Sequence, residues 1–208
     1  MSDTPESIPR LNSPEMSSSA PTTAPRPALI VSPFAYPLDE FYAQANRTLP
    51  MIEQVTETAI PEPCRSLLVH KDDMTPTLER FHGRKIHLHL LRRQQRDDVY
   101  FREVVLLLDE TETPVEFGAI KINLGLFPPS ARRAILEERA PLGRILSENE
   151  IIHASRPKAF LRLKADAFIA NALQLTGSPL LFGRRNSLVD PMQRSLAEIV
   201  EILPPAQT

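Results

Sequence analysis

Few residues in this sequence are set up to do chemistry, and most of those lie in apolar surroundings. Arg102 sits inside VYFREVVLLL (residues 99–108), a β-branched, aromatic and leucine-rich run that favours a strand. Strand alternation places Arg102 on one face with Tyr100, Val104, Leu106 and Leu108. A guanidinium among core-type side chains is costly unless an anion pairs with it. That anion is a carboxylate of the protein or one belonging to a ligand. A second apolar run, LAEIVEILPP, carries Glu198 and Glu201 on opposite strand faces, both with buried character. A carboxylate there either meets an arginine in a structural pair or holds its proton to a raised pKa and can carry it.

Cations recur in turns. GRRN holds Gly183, Arg184, Arg185 and Asn186, and HASRPK is also basic; a solvated edge and an anion site are both open for such runs. PLGR (Pro141, Leu142, Gly143, Arg144) opens a helix whose first N–H groups can face an anion, or is an ordinary proline-initiated helix. HLH puts His87 and His89 on one strand face, yet no nearby carboxylate or third histidine completes a metal set, so no metal is expected. P-loop, dinucleotide-binding, serine-nucleophile and zinc-protease motifs do not occur. What remains is a pocket with one Arg and one or two Glu, suited to a small carboxylated ligand.

The elements that must position these groups follow from pattern. Residues 1–35 are rich in Pro, Ser and Thr and are expected to form a disordered tail, leaving 36–208 as a single domain. Helices are expected within 37–56, at DDMTPTLERFHG with Thr75 as cap, at SARRAILEER, at PLGRIL and at KADAFIANALQL. Strand-like runs KIHLHLLRR, VYFREVVLLL and VEFGAIKINLGLF are joined by short polar turns, a three-stranded antiparallel meander. Two late strands, about 179–189 and 195–203, close the domain across DPMQ. The expected class is α+β, a single antiparallel sheet flanked by helices around an internal ligand pocket. With a formal charge of −2, nucleic acid and acidic membranes are not expected partners. No apolar run is long enough to span a membrane, and the lone Cys64 fits a cytoplasmic protein.

Five segments, DDMTPTLE, REVVLL, PLGRIL, GRRN and EILPP, fall in the order seen in chorismate pyruvate-lyases, and the chain resembles that family over about residues 65–205. The resemblance implies a cofactor-free enzyme, a monomer or weak dimer, that converts chorismate to 4-hydroxybenzoate and pyruvate and feeds quinone biosynthesis. It implies that Arg102 grips the ring carboxylate, with Met74 and Leu142 at the same end and Gly143 beside them. Counting from Pro205, Glu201 contacts the 4-hydroxyl; counting from Pro204 lands on Val200, with Glu198 the nearest carboxylate on that face. Arg184 and Arg185, or Arg144, then meet the pyruvyl end. The same fold type resembles effector-sensing domains of bacterial regulators, so a non-catalytic small-carboxylate receptor is the alternative, as is an enzyme making another hydroxybenzoate. Against the receptor, the first 35 residues cannot make a helix-turn-helix.

Overall fold

A computed structural model describes Met1 and residues 34–205 of the chain. Most of the expected tail therefore lies outside the described residues, but Ala35 is fully buried and belongs to the folded part. The architecture is one seven-stranded sheet, antiparallel throughout, flanked by helices.

In chain order the elements are α1 (Leu38–Gln44), β1 (Ile52–Val55), α2 (Cys64–Leu68), α3 (Met74–His82), β2 (Ile86–Arg96), β3 (Val99–Leu108), β4 (Pro114–Asn123), α4 (Pro129–Leu136), α5 (Leu142–Glu148), β5 (Ala154–Lys164), α6 (Ala167–Ala172), β6 (Leu180–Val189) and β7 (Ser195–Leu203). The sheet runs β1-β5-β6-β7-β4-β3-β2. The meander β2-β3-β4 and the hairpin β6-β7 stand where the sequence pattern puts them.

Three expectations change. Residues 52–55 form an edge strand on β5, not helix; four residues are too few for periodicity to separate the two. The basic segment beginning at HASRPK enters β5, an eleven-residue strand whose inward positions Ser155, Ala159, Leu161 and Leu163 alternate with Arg and Lys. Its Pro157 is accommodated at a register shift, where a ladder bond is already lost. In α3 the cap is Asp73, and Thr75 lies inside the helix; Gly83 ends it in the left-handed region at φ 63°, which glycine adopts without strain.

One face of the sheet packs Phe101, Val105, Leu107, Phe117, Leu161, Val200 and Ile202 against α1 and α6. The opposite face carries two apolar clusters. One joins Tyr100, Ile120, Ile122, Leu188 and Ile199 to α4 and α5. The other joins Leu88, Val104, Leu106 and Leu203 to α2 and α3. Between them, across four adjacent strands, runs a polar seam of Arg102, Glu116, Glu201, Arg184 and Asn186, all buried. Burial of a polar row between two oily patches is the feature that needs explaining.

Candidate ligand-binding site

The seam opens into a cavity of about 60 Å³ lined by Asp73, Met74, Thr75, Arg102, Glu116, Gly118, Leu142, Gly143, Asn186 and Glu201, with Leu88, Val104, Leu106, Ile120, Leu188 and Ile199 as its apolar floor and walls. Strand alternation builds that floor: 102, 104 and 106 of β3, 116, 118 and 120 of β4, and 199 and 201 of β7 share one face. The starts of α3 and α5 cover it. They meet where a Cβ on Gly143 would lie 3.3 Å from Thr75 Oγ1, so glycine permits the close approach. His153 Nε2 sits 2.9 Å from Asp73 Oδ2, tying the segment after α5 to the cap of α3.

Arg102 is 1% exposed, and its Nε and Nη1 have no hydrogen-bond partner among the described residues. Burial lowers its pKa to about 10, while Tyr100 and Glu138 act in the opposite sense, so the guanidinium stays charged at neutral pH. Among the described residues no carboxylate closes on it: Glu138 accepts from the Tyr100 hydroxyl and from Arg93. The protein side of the choice left open by the sequence is therefore unfilled.

The carboxylates at the other side of the seam divide differently from expectation. Glu201 lines the cavity but also accepts from Arg184 Nε. Arg184 is fully buried, and its remaining donors reach the carbonyls of Leu68, His70 and Asp72 at 3.2–3.3 Å. It does not line the cavity, and the expected contact with a pyruvyl group is taken by protein instead. Close backbone packing holds this pair: a Cβ on Gly183 would fall 2.3 Å from the Glu201 carbonyl oxygen, so β6 and β7 approach as they do because residue 183 is glycine. Glu198 lies on the opposite face, where Ser187, Ser195 and Arg185 bind it. Arg144 stands outside the lining, 2.9 Å from Glu79 and 2.7 Å from the Ile86 carbonyl. The structure thus brings Arg102, Met74, Leu142, Gly143 and Glu201 to one cavity and leaves Glu198, Arg144, Arg184 and Arg185 out of its lining.

Glu116 escaped the sequence reading, and Asn186 entered it only as part of a basic turn. Glu116 Oε2 has no hydrogen-bond partner among the described residues, and burial, reinforced by the Glu201 charge, holds its pKa well above the usual carboxylate range despite Arg184. Asn186 donates to Ser155 Oγ at 2.8 Å and leaves its amide oxygen without a partner. The signal for Glu116 was present in PVEFGAIKI, a strand with one carboxylate on the Gly118–Ile120 face, the same logic that selected Glu201. Of the histidines singled out, His87 pairs with Asp109 at 2.8 Å on the surface. Among the described residues no group of three or more His, Cys, Asp or Glu is placed to hold a metal, and no helix is long and apolar enough to cross a membrane.

No family model matches the chain, and no curated protein matches it by sequence. Solved structures with a similar arrangement include PhnF from Mycobacterium smegmatis, at TM-score 0.49 and 14% identity over 66% of this chain and 65% of that one. The ligand-binding domain of a GntR-family transcriptional regulator from Bordetella bronchiseptica aligns at TM-score 0.45 and 13% identity, over 58% of this chain and 86% of its own. The C-terminal domain of the histidine utilization repressor from Pseudomonas syringae aligns at TM-score 0.42 and 13% identity, over 60% and 94%. The chain spans just under two thirds of the PhnF chain. At these scores the likeness says nothing of this chain's function.

Proposed function

We propose that this chain binds a small cyclic carboxylate in the seam cavity, with the carboxylate on Arg102. The observation that carries this reading is the buried guanidinium whose Nε and Nη1 meet no hydrogen-bond acceptor among the described residues. An uncompensated buried charge of this kind destabilises a fold, and an incoming carboxylate offsets that cost with bidentate, charge-assisted hydrogen bonds. The small cavity restricts the ligand to at most about one ring. Charge restricts it further. Arg102 is the one Arg or Lys lining the cavity among the described residues, since Arg184 is spent on Glu201 and three carbonyls. A monocarboxylate matches this inventory better than a dianion. That supports a cytoplasmic small-ligand-binding module over an enzyme that must seat two carboxylates.

A second reading has its own support. Arg102, Met74, Leu142 and Glu201, four of the residues assigned to substrate from the resemblance, line one cavity. In that reading the chain is a chorismate pyruvate-lyase. The ether C–O bond to the ring breaks, a ring hydrogen ends on the departing enolpyruvyl group as pyruvate, and the ring becomes aromatic. Arg102 then holds the ring carboxylate of the 4-hydroxybenzoate formed, and the protein's part is to fix the conformer and exclude water. One set of measurements separates the readings. Purified protein is titrated with benzoate and 4-hydroxybenzoate by calorimetry and, separately, incubated with chorismate for chromatographic product analysis. Saturable binding that Arg102→Met abolishes, without product from chorismate, supports the binding module. Release of 4-hydroxybenzoate and pyruvate in equal amounts supports the lyase. Failure of the wild-type chain to bind either ring acid, with no product, overturns both.

A further inference from the structure

Glu116 enters none of the roles above, yet it is a carboxyl group set within the cavity lining with one oxygen unpartnered. Its position follows from the register. On β4, Ile120 stands opposite Arg102 of β3, Gly118 opposite Val104, and Glu116 opposite Leu106. Glu116 is therefore four residues along the strand from the Arg102 level, roughly 13 Å between backbone positions at strand rise. Its side chain leans back over the intervening glycine: a Cβ on Gly118 would lie 3.3 Å from Glu116 Oε1. Glycine at 118 thus leaves the floor low where a ring would lie, with Arg102 at one end and the Glu116 carboxyl at the other. Gly118 is also the register partner of Glu201, whose charge acts on Glu116, and the arginine beside these two carboxyl groups, Arg184, is already committed to Glu201.

Resting on the reading of the cavity as a carboxylate site, we infer that Glu116 is a specificity residue that contacts the ligand and offers a neutral carboxylic O–H to a hydroxyl across the ring from the carboxylate. Two carboxyl groups sharing one arginine in a buried space cannot both ionise cheaply, and Glu201 holds the ion pair, so the proton resides on Glu116. A neutral acid can donate to a hydroxyl oxygen, whereas a second ligand carboxylate at this end would face the Glu201 charge. The ligand class is then a hydroxylated ring monocarboxylate, and ring dicarboxylates are rejected.

The test is a calorimetric panel of benzoate, 4-hydroxybenzoate and terephthalate at pH 7 against wild type, Glu116→Leu, Glu116→Gln and Arg102→Met, each variant checked for folding by its thermal melt. Wild type is expected to prefer 4-hydroxybenzoate over benzoate by about tenfold or more, because benzoate leaves the Glu116 donor unpaired, and to bind terephthalate weakest. Glu116→Leu should bind benzoate at least as well as wild type and lose the hydroxyl preference. Glu116→Gln, which keeps a neutral donor, should retain it. Benzoate binding without a hydroxyl preference in wild type, or a preference that survives Glu116→Leu or disappears in Glu116→Gln, overturns the Glu116 assignment while leaving the Arg102 site intact. A wild-type chain that binds none of the three acids overturns the Arg102 reading and the Glu116 assignment together.

Discussion

At the scale of single residues, the two neighbours Arg102 and Glu103 face opposite sides of one strand, each buried with side-chain polar atoms that have no hydrogen-bond partner among the described residues. Arg102 faces the cavity, where we propose that it binds a carboxylate. Without ligand, replacing it by methionine removes an uncompensated buried charge and keeps most of the volume. Arg102→Met is therefore expected to raise the ligand-free unfolding free energy by about 1–4 kcal/mol in urea titrations and to abolish carboxylate binding. A loss of about 3–5 kcal/mol would instead reveal a protein partner for the guanidinium. Glu103 is fully buried against α1 and α6, and neither oxygen has a hydrogen-bond partner. Burial pushes its pKa from 4.5 up to about 7, because Arg92, at 3.7 Å, is too distant to hydrogen-bond, and Asp166 adds to the rise. The folded chain keeps this proton where the unfolded chain has lost it. Stability is thus highest at low pH on this account and falls as pH rises from about 4.5 to about 7, by up to roughly 3 kcal/mol, then levels. Glu103→Gln should flatten that slope and melt higher than wild type at pH 8; an unchanged pH profile would show that Glu103 is already solvated.

At the scale of elements, the cavity is closed by two short helices whose starts meet through Thr75 and Gly143, and the Asp73–His153 pair locks the seam between them. The Asp73 carboxylate, with a smaller contribution from the Ile151 carbonyl, holds the His153 pKa above 6.5 against the opposing effect of burial. A histidine raised in this way stabilises the fold fully below its unfolded pKa, and that contribution is lost as pH rises through the folded value. Thermal melts from pH 5.5 to 8.5 should therefore show wild type more stable than His153→Ala at the acid end, with the gap shrinking as pH rises. A gap independent of pH would mean that the pair contributes through packing alone. How much of this was legible differs by element. The meander, the final hairpin and the helices α3 to α6 follow from alternation, helical spacing and proline positions. Strand β5 did not, because its outward Arg and Lys residues and Pro157 resemble a solvated basic edge until β1 and β6 pair on either side of it.

At the scale of the whole molecule, the sheet order places two β-strand pairs remote in sequence side by side, β4 against β7, and the seam exists only through that pairing. A ligand bound there would touch both apolar clusters of that face and so stabilise the domain as a unit. At a ligand concentration of about 100 times Kd, the linkage contributes about 2.7 kcal/mol. For a chain of this size 4-hydroxybenzoate should then raise Tm by roughly 5–10 °C, an effect absent in Arg102→Met. The sequence by itself determined that Arg102 needed an anion, that the fold was α+β with an antiparallel sheet, and that carboxylates in apolar strands would need an account. Those conclusions rest on local alternation and on the cost of burying charge, which any stretch of chain displays. Only the tertiary structure decided which carboxylate takes Arg184, that Glu198 faces away, and that Glu116 shares the cavity with Arg102. Those assignments depend on register between β3, β4, β6 and β7, set by long-range packing and by glycines at 118 and 183 whose absent side chains let neighbouring groups close in.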